Sequence, residues 1–185
     1  MYKVLFVCTG NTCRSVMAEW IFNHQARAQG LEEKLKADSA GINAIGGMPA
    51  APYVKDIALQ EGFYDKSHMS QQVKAERLID YDIILVMTYS HKQEVKNMMA
   101  EAREGRYPPV FLLKEYVQTI WGETQNGKSA LDHMEGAFET VYSGNDIEIP
   151  DPIGGDKKDY QKLYQELYYL IGLMITYLSR QLAEE

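Results

Sequence analysis

Short runs of consecutive apolar residues alternate along this chain with segments in which apolar residues recur every three or four positions. Residues 4–7, 83–87 and 109–113 are continuous apolar runs, a pattern typical of strands that are buried on both faces. Residues 35–39 form a weaker run of the same kind, and we predict a strand there as well. The pattern therefore predicts four strands.

Helical spacing fills most of the intervals between these runs. Apolar residues recur at three- and four-residue steps over 17–28 and 54–61, and each of these segments is followed by a glycine. A further helix is predicted from about 90 to 102, and the stripe over 160–178 predicts a long amphipathic helix. Strands that alternate with helices predict an α/β fold, in which a single domain has a central, mainly parallel sheet of about four strands with helices on both faces.

One segment does not fit this alternation. Residues 118–149, between the fourth strand and the last helix, are rich in glycine and polar residues, and a bare loop of that length is unusual in a compact domain. Apolar spacing over 129–141 predicts a short helix within it. We therefore interpret 118–149 as an insertion in one domain that spans 1–185. A lid, a docking surface and a tolerated surface insertion remain open as its role.

The composition is that of an ordinary soluble globular protein. The 185 residues are 45% hydrophobic and 24% charged, which excludes a mainly disordered chain and leaves enough apolar material for a sizeable core. The formal net charge is -7, whereas a sequence-independent nucleic-acid binder needs a basic surface. We therefore predict no nucleic-acid partner.

Cysteine usage and the N-terminus bear on the cellular compartment. The only two cysteines are Cys8 and Cys13, so a disulfide-stapled secreted scaffold is not expected and we predict a reduced, cytoplasmic setting. The first seven residues hold one lysine and a short apolar run that polar residues follow at once, which is unlike a signal peptide. No apolar stretch has the length of a bilayer crossing, so no membrane association is predicted.

The segment that carries chemistry follows the first strand. Residues 8–15, called loop 8–15 from here on, read CTGNTCRS and lie between a buried strand and a predicted helix start. Such a junction presents free backbone N–H groups and the positive end of the helix dipole, which together form an anion cradle. We expect Gly10 to supply a backbone conformation that a β-carbon would resist. Arg14 is expected to bind two phosphate oxygens with its planar guanidinium.

A thiol in this cradle is expected to be stabilised as the thiolate, because N–H dipoles and a guanidinium favour the charged form. Cys8 would then be a nucleophile at neutral pH. We expect Ser15 to donate a hydrogen bond to its sulfur, and Asn11 to fix the loop through side-chain to backbone bonds. A structural cysteine is disfavoured by the strand-to-helix position, and a metal site by the lack of further ligands nearby.

Phosphoryl transfer also needs a proton donor for the leaving group. Asp151 lies between Pro150 and Pro152, which stiffen the backbone, and Gly154 and Gly155 follow closely. A rigid carboxyl at a loop tip suits a general acid. Asp-Pro and Gly-Gly are also common in turns, so an ordinary turn remains open as the alternative.

These motifs resemble the low-molecular-weight protein tyrosine phosphatases. The resemblance rests on VCTGNTCRS at 7–15, DSAG at 38–41 and DP at 151–152, and it covers most of the chain. The bacterial protein-arginine-phosphatase branch of that family is the most similar, because its phosphate loop has the same residues as loop 8–15. The resemblance implies an α/β phosphatase that needs no metal and no other cofactor.

Carried over by position, the resemblance implies that Cys8 is the nucleophile, that Arg14 clamps the phosphate and that Asp151 is the general acid. Ser15 would tune the thiolate, and Ser39 would support the loop together with its asparagine. The implied phosphate-binding residues besides Cys8 and Arg14 are Thr9, Gly10, Asn11, Thr12, Cys13 and Ser15.

Three further positions bear on specificity and regulation. The position of Thr12 holds a bulkier aliphatic residue in the tyrosine-specific branch, and a threonine there implies room for phosphoarginine. Ile153 stands where both branches have an aromatic residue, and with Thr12 it would form the specificity wall. Cys13 matches a second loop cysteine of the family, which implies a reversible disulfide with Cys8 that prevents irreversible oxidation.

We therefore predict a cysteine-dependent protein phosphatase that hydrolyses phosphoarginine in proteins through a phosphocysteine intermediate. A phosphotyrosine phosphatase is the close alternative. Arsenate reductase is disfavoured because it relays electrons through further cysteines, and a silent phosphate-binding module is disfavoured because Cys8, Arg14 and Asp151 are all present. The predicted partners are phosphorylated proteins, with inorganic phosphate as product and inhibitor.

Overall fold

The computed structural model describes residues 1–102, 106–125 and 146–183. Its sheet has four strands in the spatial order β2-β1-β3-β4, and each neighbouring pair is parallel. This confirms the predicted α/β class and the predicted parallel sheet. The strands are β1 (Tyr2–Cys8), β2 (Leu35–Gly41), β3 (Ile83–Val86) and β4 (Val110–Leu112).

Six helices connect or follow these strands within the described ranges. The helices are α1 (Arg14–Ala28), α2 (Pro52–Glu61), α3 (Ala75–Leu78), α4 (Tyr89–Ala102), α5 (Leu113–Gln125) and α6 (Lys157–Gln181). Four of them match predicted helices, whereas α3 and α5 were not predicted. None of these helices is long and apolar enough to cross a membrane.

Alternate residues of β1 build two separate layers of the core. Val4 and Phe6 belong to a cluster on one face of the sheet with the buried residues of α1, α5 and α6. Leu5 and Val7 belong to a cluster on the other face, which includes Val95 of α4. Because side chains alternate between faces along a strand, a strand covered on both sides reads as a continuous apolar run. Helices on both faces are thereby confirmed.

The prediction around the fourth strand was wrong in two respects. Residue 113 starts helix α5 instead of ending the strand, and residues 118–125, at the start of the predicted insertion, continue this helix, which was not predicted. The apolar run hid this boundary because the end of β4 and the first turn of α5 are both buried. The helical signal was present, since α5 buries residues at steps of three and four, namely Leu113, Tyr116, Val117, Ile120 and Trp121. The helix predicted over 129–141 lies outside the described residues.

Candidate active site

Loop 8–15 lies at the carboxyl edge of the sheet, where β1 ends at Cys8 and α1 begins at Arg14. The Cys8 side chain is buried, and its Sγ atom lies 3.0 Å from Ser15 Oγ. This is the contact predicted for a serine that donates to the sulfur. In the described part of the chain, no N–H group of residues 10–15 is used by a backbone or side-chain acceptor, and α1 has no side-chain cap. The loop therefore keeps its donors for an anion.

Arg14 joins this loop to the segment that carries the predicted acid. Its Nη1 donates to the carbonyl of Ile149 at 3.2 Å, and its Nη2 donates to Thr9 Oγ1 at 3.3 Å and forms an ion pair with the Asp151 carboxylate. Arg14 is only 3% exposed, and its Nε has no hydrogen-bond partner among the described residues. The buried guanidinium therefore has a donor left for a ligand oxygen.

The segment around Asp151 is shaped by its glycines and by the start of α6. Gly154 has φ +86°, and a β-carbon on Gly155 would lie 2.4 Å from Asp159 Oδ2. Asp159 makes that approach because it forms a capping box with Asp156 at the N-terminus of α6. Ile153 is 65% exposed at the outer side of this turn. The two glycines therefore allow a tight turn that ends directly in the helix.

Asn11 is the organising residue of the loop, and it corrects the role expected of Gly10. Asn11 has φ 54°, whereas Gly10 is not among the positive-φ residues and a β-carbon on it would meet only Thr12 Oγ1, at 3.7 Å. Asparagine tolerates this left-handed conformation better than most residues. Its Oδ1 accepts the N–H of Gln71 at 2.8 Å, as expected for a side-chain to backbone bond that fixes the loop.

Asn11 is hydrogen-bonded to the hydroxyl groups of two serines, and one of these serines is bonded in turn to a carboxyl that was not predicted as part of the site. Asn11 Nδ2 donates to Ser15 Oγ at 3.1 Å and to Ser39 Oγ at 2.8 Å. Ser39 in turn donates to Glu19 Oε2 at 2.5 Å. Burial raises the pKa of Glu19 to about 7. The available signal was a glutamate four residues after Ser15, within the otherwise buried face of α1.

Two histidines support the loop from outside. His68 Nε2 lies 3.0 Å from the backbone carbonyl of Asn11 and must donate to it, since a carbonyl only accepts. His91 Nε2 lies 2.9 Å from Thr9 Oγ1. Burial lowers the pKa of His68, and burial together with the Arg14 charge lowers the pKa of His91 to about 4. Both imidazoles are therefore neutral at pH 7.

Gly41 at the end of β2 makes the closest approach to the loop. A β-carbon on Gly41 would lie 2.6 Å from the carbonyl oxygen of Thr9 and 2.8 Å from the backbone nitrogen of Asn11. Both atoms belong to the backbone and cannot move aside easily. The DSAG motif therefore contributes a glycine that the loop packs against, besides the Ser39 hydroxyl.

Thr12 and Cys13 complete the loop. Thr12 is half-buried, and its carbonyl accepts the N–H of Ala51 at 2.8 Å. Cys8 and Cys13 are both buried free thiols. Burial raises the pKa of Cys13, and the neighbouring Cys8 raises it further, so Cys13 stays protonated at neutral pH. The described residues contain no group of three or more histidine, cysteine or acidic side chains that could hold a metal ion.

Comparisons with known proteins identify the family of this chain. A family model described as low molecular weight phosphotyrosine protein phosphatase matches residues 3–142. A protein-arginine-phosphatase of Bacillus subtilis is 31% identical over 96% of this chain and 97% of its own. The low molecular weight protein-tyrosine-phosphatase PtpB of Staphylococcus aureus is 34% identical over 91% of this chain and 94% of its own.

A solved structure shares the fold. A mutant of the YwlE arginine phosphatase with a phosphorylated active-site serine superposes with a TM-score of 0.69, at 29% identity over 96% of this chain and 95% of that chain. The predicted resemblance is thereby confirmed. The chain belongs to the low molecular weight phosphotyrosine protein phosphatase family and is a cysteine-dependent protein phosphatase.

Proposed function

We propose that the enzyme transfers a phosphoryl group from a phosphoprotein to Cys8 in its first step. The Sγ lone pair forms a bond to phosphorus while the bond from phosphorus to the leaving nitrogen or oxygen breaks. Arg14 and the N–H groups of loop 8–15 stabilise the equatorial oxygens. Asp151 gives its proton to the leaving atom, and the products are a dephosphorylated protein and a phosphocysteine.

The second step hydrolyses that intermediate. The Asp151 carboxylate takes a proton from water, the water oxygen bonds to phosphorus, and the bond between phosphorus and Sγ breaks with its electron pair left on Cys8. Ser15 is placed to donate to that sulfur, 3.0 Å away. Inorganic phosphate is the product, and it competes for the same cradle as an inhibitor.

The observation that carries this proposal is the position of Arg14. A single buried guanidinium contacts Asp151 and belongs to the same loop as Cys8, and its Nε is left free among the described residues. We expect Cys8→Ser to abolish turnover of phosphopeptides and to retain phosphate binding in a titration. Unchanged turnover in that variant would refute the mechanism. Mass spectrometry of quenched wild-type reactions should find the phosphoryl group on Cys8.

We propose phosphoarginine in proteins as the substrate. Thr12 supports this choice, because a threonine at a half-buried position of the loop leaves more room above the phosphate than a larger aliphatic side chain. The identity to a protein-arginine-phosphatase over nearly the full chain points the same way. The exposed Ile153 offers an aliphatic wall for the arginine stem.

Phosphotyrosine is the second candidate, and a particular feature favours it. Tyr160 lies within hydrogen-bonding reach of Cys13, and its ring packs edge-on against Tyr53 with centroids 5.2 Å apart. Such an aromatic pair beside the site suits a phenyl ring. The PtpB relative is named a tyrosine phosphatase.

Paired peptides decide between the two substrates. Matched peptides that carry phosphoarginine or phosphotyrosine at the same position are compared by kcat/KM for the wild type and for Thr12→Ile. We expect the wild type to prefer phosphoarginine and Thr12→Ile to shift the ratio toward phosphotyrosine. A wild-type preference for phosphotyrosine would reject the substrate assignment and leave the thiolate mechanism intact. An unchanged ratio in Thr12→Ile would reject the role of Thr12.

A further inference from the structure

A continuous chain of four hydrogen bonds connects the sulfur of the active-site loop to a carboxyl on α1. Four of the five side chains are buried, and the carboxyl is partly buried. In order, the chain runs from Cys8 Sγ to Ser15 Oγ (3.0 Å), to Asn11 Nδ2 (3.1 Å), to Ser39 Oγ (2.8 Å) and to Glu19 Oε2 (2.5 Å).

The direction of these bonds is fixed by one backbone group. The N–H of Gln71 donates to one side-chain atom of Asn11, which must therefore be the amide oxygen Oδ1. The other atom is then Nδ2, whose two hydrogens point to Ser39 and Ser15. The amide orientation thus follows from the network itself.

The two serine hydroxyls are directed by this amide. Ser39 Oγ accepts from Asn11, so its own hydrogen goes to Glu19 Oε2, which accepts it as a carboxylate oxygen or as the carbonyl oxygen of the protonated acid. Ser15 Oγ accepts from the same amide, so its hydrogen is left to donate to Cys8. Each hydroxyl is therefore held with its oxygen toward Asn11 and its hydrogen away from it.

We propose that Glu19 is a positioning residue, which acts through Ser39 and Asn11 to keep the Ser15 hydroxyl donating to Cys8. This inference rests on the proposed phosphocysteine mechanism. The bond matters most when the bond between phosphorus and Sγ breaks, because the electron pair then stays on the sulfur and a donor stabilises the anion.

Loss of the Glu19 acceptor frees the hydroxyl of Ser39 to rotate. Asn11 then loses the fixed acceptor that holds one of its two amide hydrogens. The Asn11 amide is then free to shift, and the Ser15 hydroxyl that accepts from it loses its fixed orientation toward Cys8. A donor turned away from the sulfur no longer stabilises it as it departs.

A double-mutant cycle tests the proposal. The rate of phosphocysteine hydrolysis is measured by rapid quench with an aryl phosphate as the probe, for Glu19→Ala, Ser15→Ala and the double variant. A hydrogen bond to a charged group is worth a factor of about 10 to 100, so each single change should slow this step by that order. The double variant should be no slower than the slower single variant, because both changes remove the same bond.

Two controls separate positioning from a merely structural role. Glu19→Gln keeps an oxygen that accepts from Ser39 and should restore the hydrolysis rate close to the wild-type value. Asn23→Ala removes two 2.9 Å bonds that tie the next turn of α1 to Ala37 of β2, and it should lower thermal stability without slowing phosphocysteine hydrolysis. Should Glu19→Ala not fold, Ser39→Ala in the Ser15→Ala background provides the same cycle.

Additive effects of Glu19→Ala and Ser15→Ala would overturn the proposal, as would a normal hydrolysis rate in Glu19→Ala. An Asn23→Ala variant that is slowed as much as Glu19→Ala would also overturn it. Failure of the underlying mechanism looks different, since the wild-type enzyme would then yield no phosphocysteine in the quenched samples.

Discussion

The Asp151 carboxylate pairs with the Arg14 guanidinium, although 137 positions separate the two residues along the chain. In the proposed mechanism the pair places the proton donor Asp151 beside the arginine that binds phosphate, and the carboxylate takes up one of the guanidinium donors. A phosphate and the Asp151 carboxylate therefore compete for Nη2 of the same arginine.

Asp151→Asn separates these two effects. We expect turnover of phosphopeptides to fall by about 10²- to 10⁴-fold, because the leaving atom loses its proton donor. Phosphate should inhibit the variant more strongly, by up to about fivefold, because a partly exposed ion pair is worth about 1 kcal/mol or less. Steady-state kinetics with added phosphate measures both effects. Asp80→Asn, an exposed carboxyl elsewhere, is the matched control, and weaker inhibition of Asp151→Asn would contradict the competition.

Gly41→Ala should displace the backbone of loop 8–15, against which Gly41 packs. The new β-carbon would lie 2.6 Å from the Thr9 carbonyl oxygen, and such overpacking typically costs about 1–3 kcal/mol. We expect a lower free energy of unfolding in denaturant titrations and reduced kcat, since the loop backbone must shift. Gly46→Ala is the control, because its β-carbon would have no neighbour closer than 4.0 Å. Equal stability of the two variants would show that the close approach has no energetic consequence.

The raised pKa of Glu19 predicts a pH-dependent stability. The pKa is about 7 in the folded protein against the usual 4.5 of a glutamate, mainly because of burial. Asp38 and Asp65 also raise this pKa, whereas Ser39 and Lys36 lower it. The folded state therefore binds the proton more tightly than the unfolded state, and stability falls as pH rises from 4.5 through 7. The loss is about 3 kcal/mol for this difference in pKa.

Glu19→Gln cannot ionise and should lack this loss. Thermal melts of the two proteins at pH values from 4.5 to 8 measure the difference, and the wild-type Tm should drop relative to that of Glu19→Gln by about 5–10 °C over this range. A constant difference between the two Tm values would mean that Glu19 titrates in the folded protein as it does in the unfolded chain.

The two buried thiols predict a response to oxidants. Peroxide should oxidise Cys8, and Cys13 should then condense with it to a disulfide that reductant reverses. In Cys13→Ser the sulfenic acid has no such partner and should progress to sulfinic acid. Activity recovered after reductant, normalised to each protein before oxidation, should be high for the wild type and low for Cys13→Ser. Equal recovery would argue against a protective role of Cys13.

The strands, most of the helices and the proposed phosphate-binding loop could be predicted from the sequence alone. Each of these features is a local pattern of residues that are close in the sequence. Examples are the apolar run of β1, the residues of loop 8–15 and the helical spacing of α1. Cys8 and Arg14 could therefore be proposed as site residues from the sequence, and the contact between Ser15 and the sulfur could be predicted.

The side chains that surround this loop could not be predicted, because they come from segments that are distant along the chain. Gly41, Glu19 and His91 reach it because β2, α1 and α4 pack against β1 or β3, and no local pattern states which side chain faces which loop atom. The left-handed backbone fell on Asn11 and not on Gly10, because the bonds from Gln71 and to Ser39 hold Asn11 in that conformation. Contacts between distant segments depend on the packing of the whole domain, which cannot be deduced from any short stretch of the sequence.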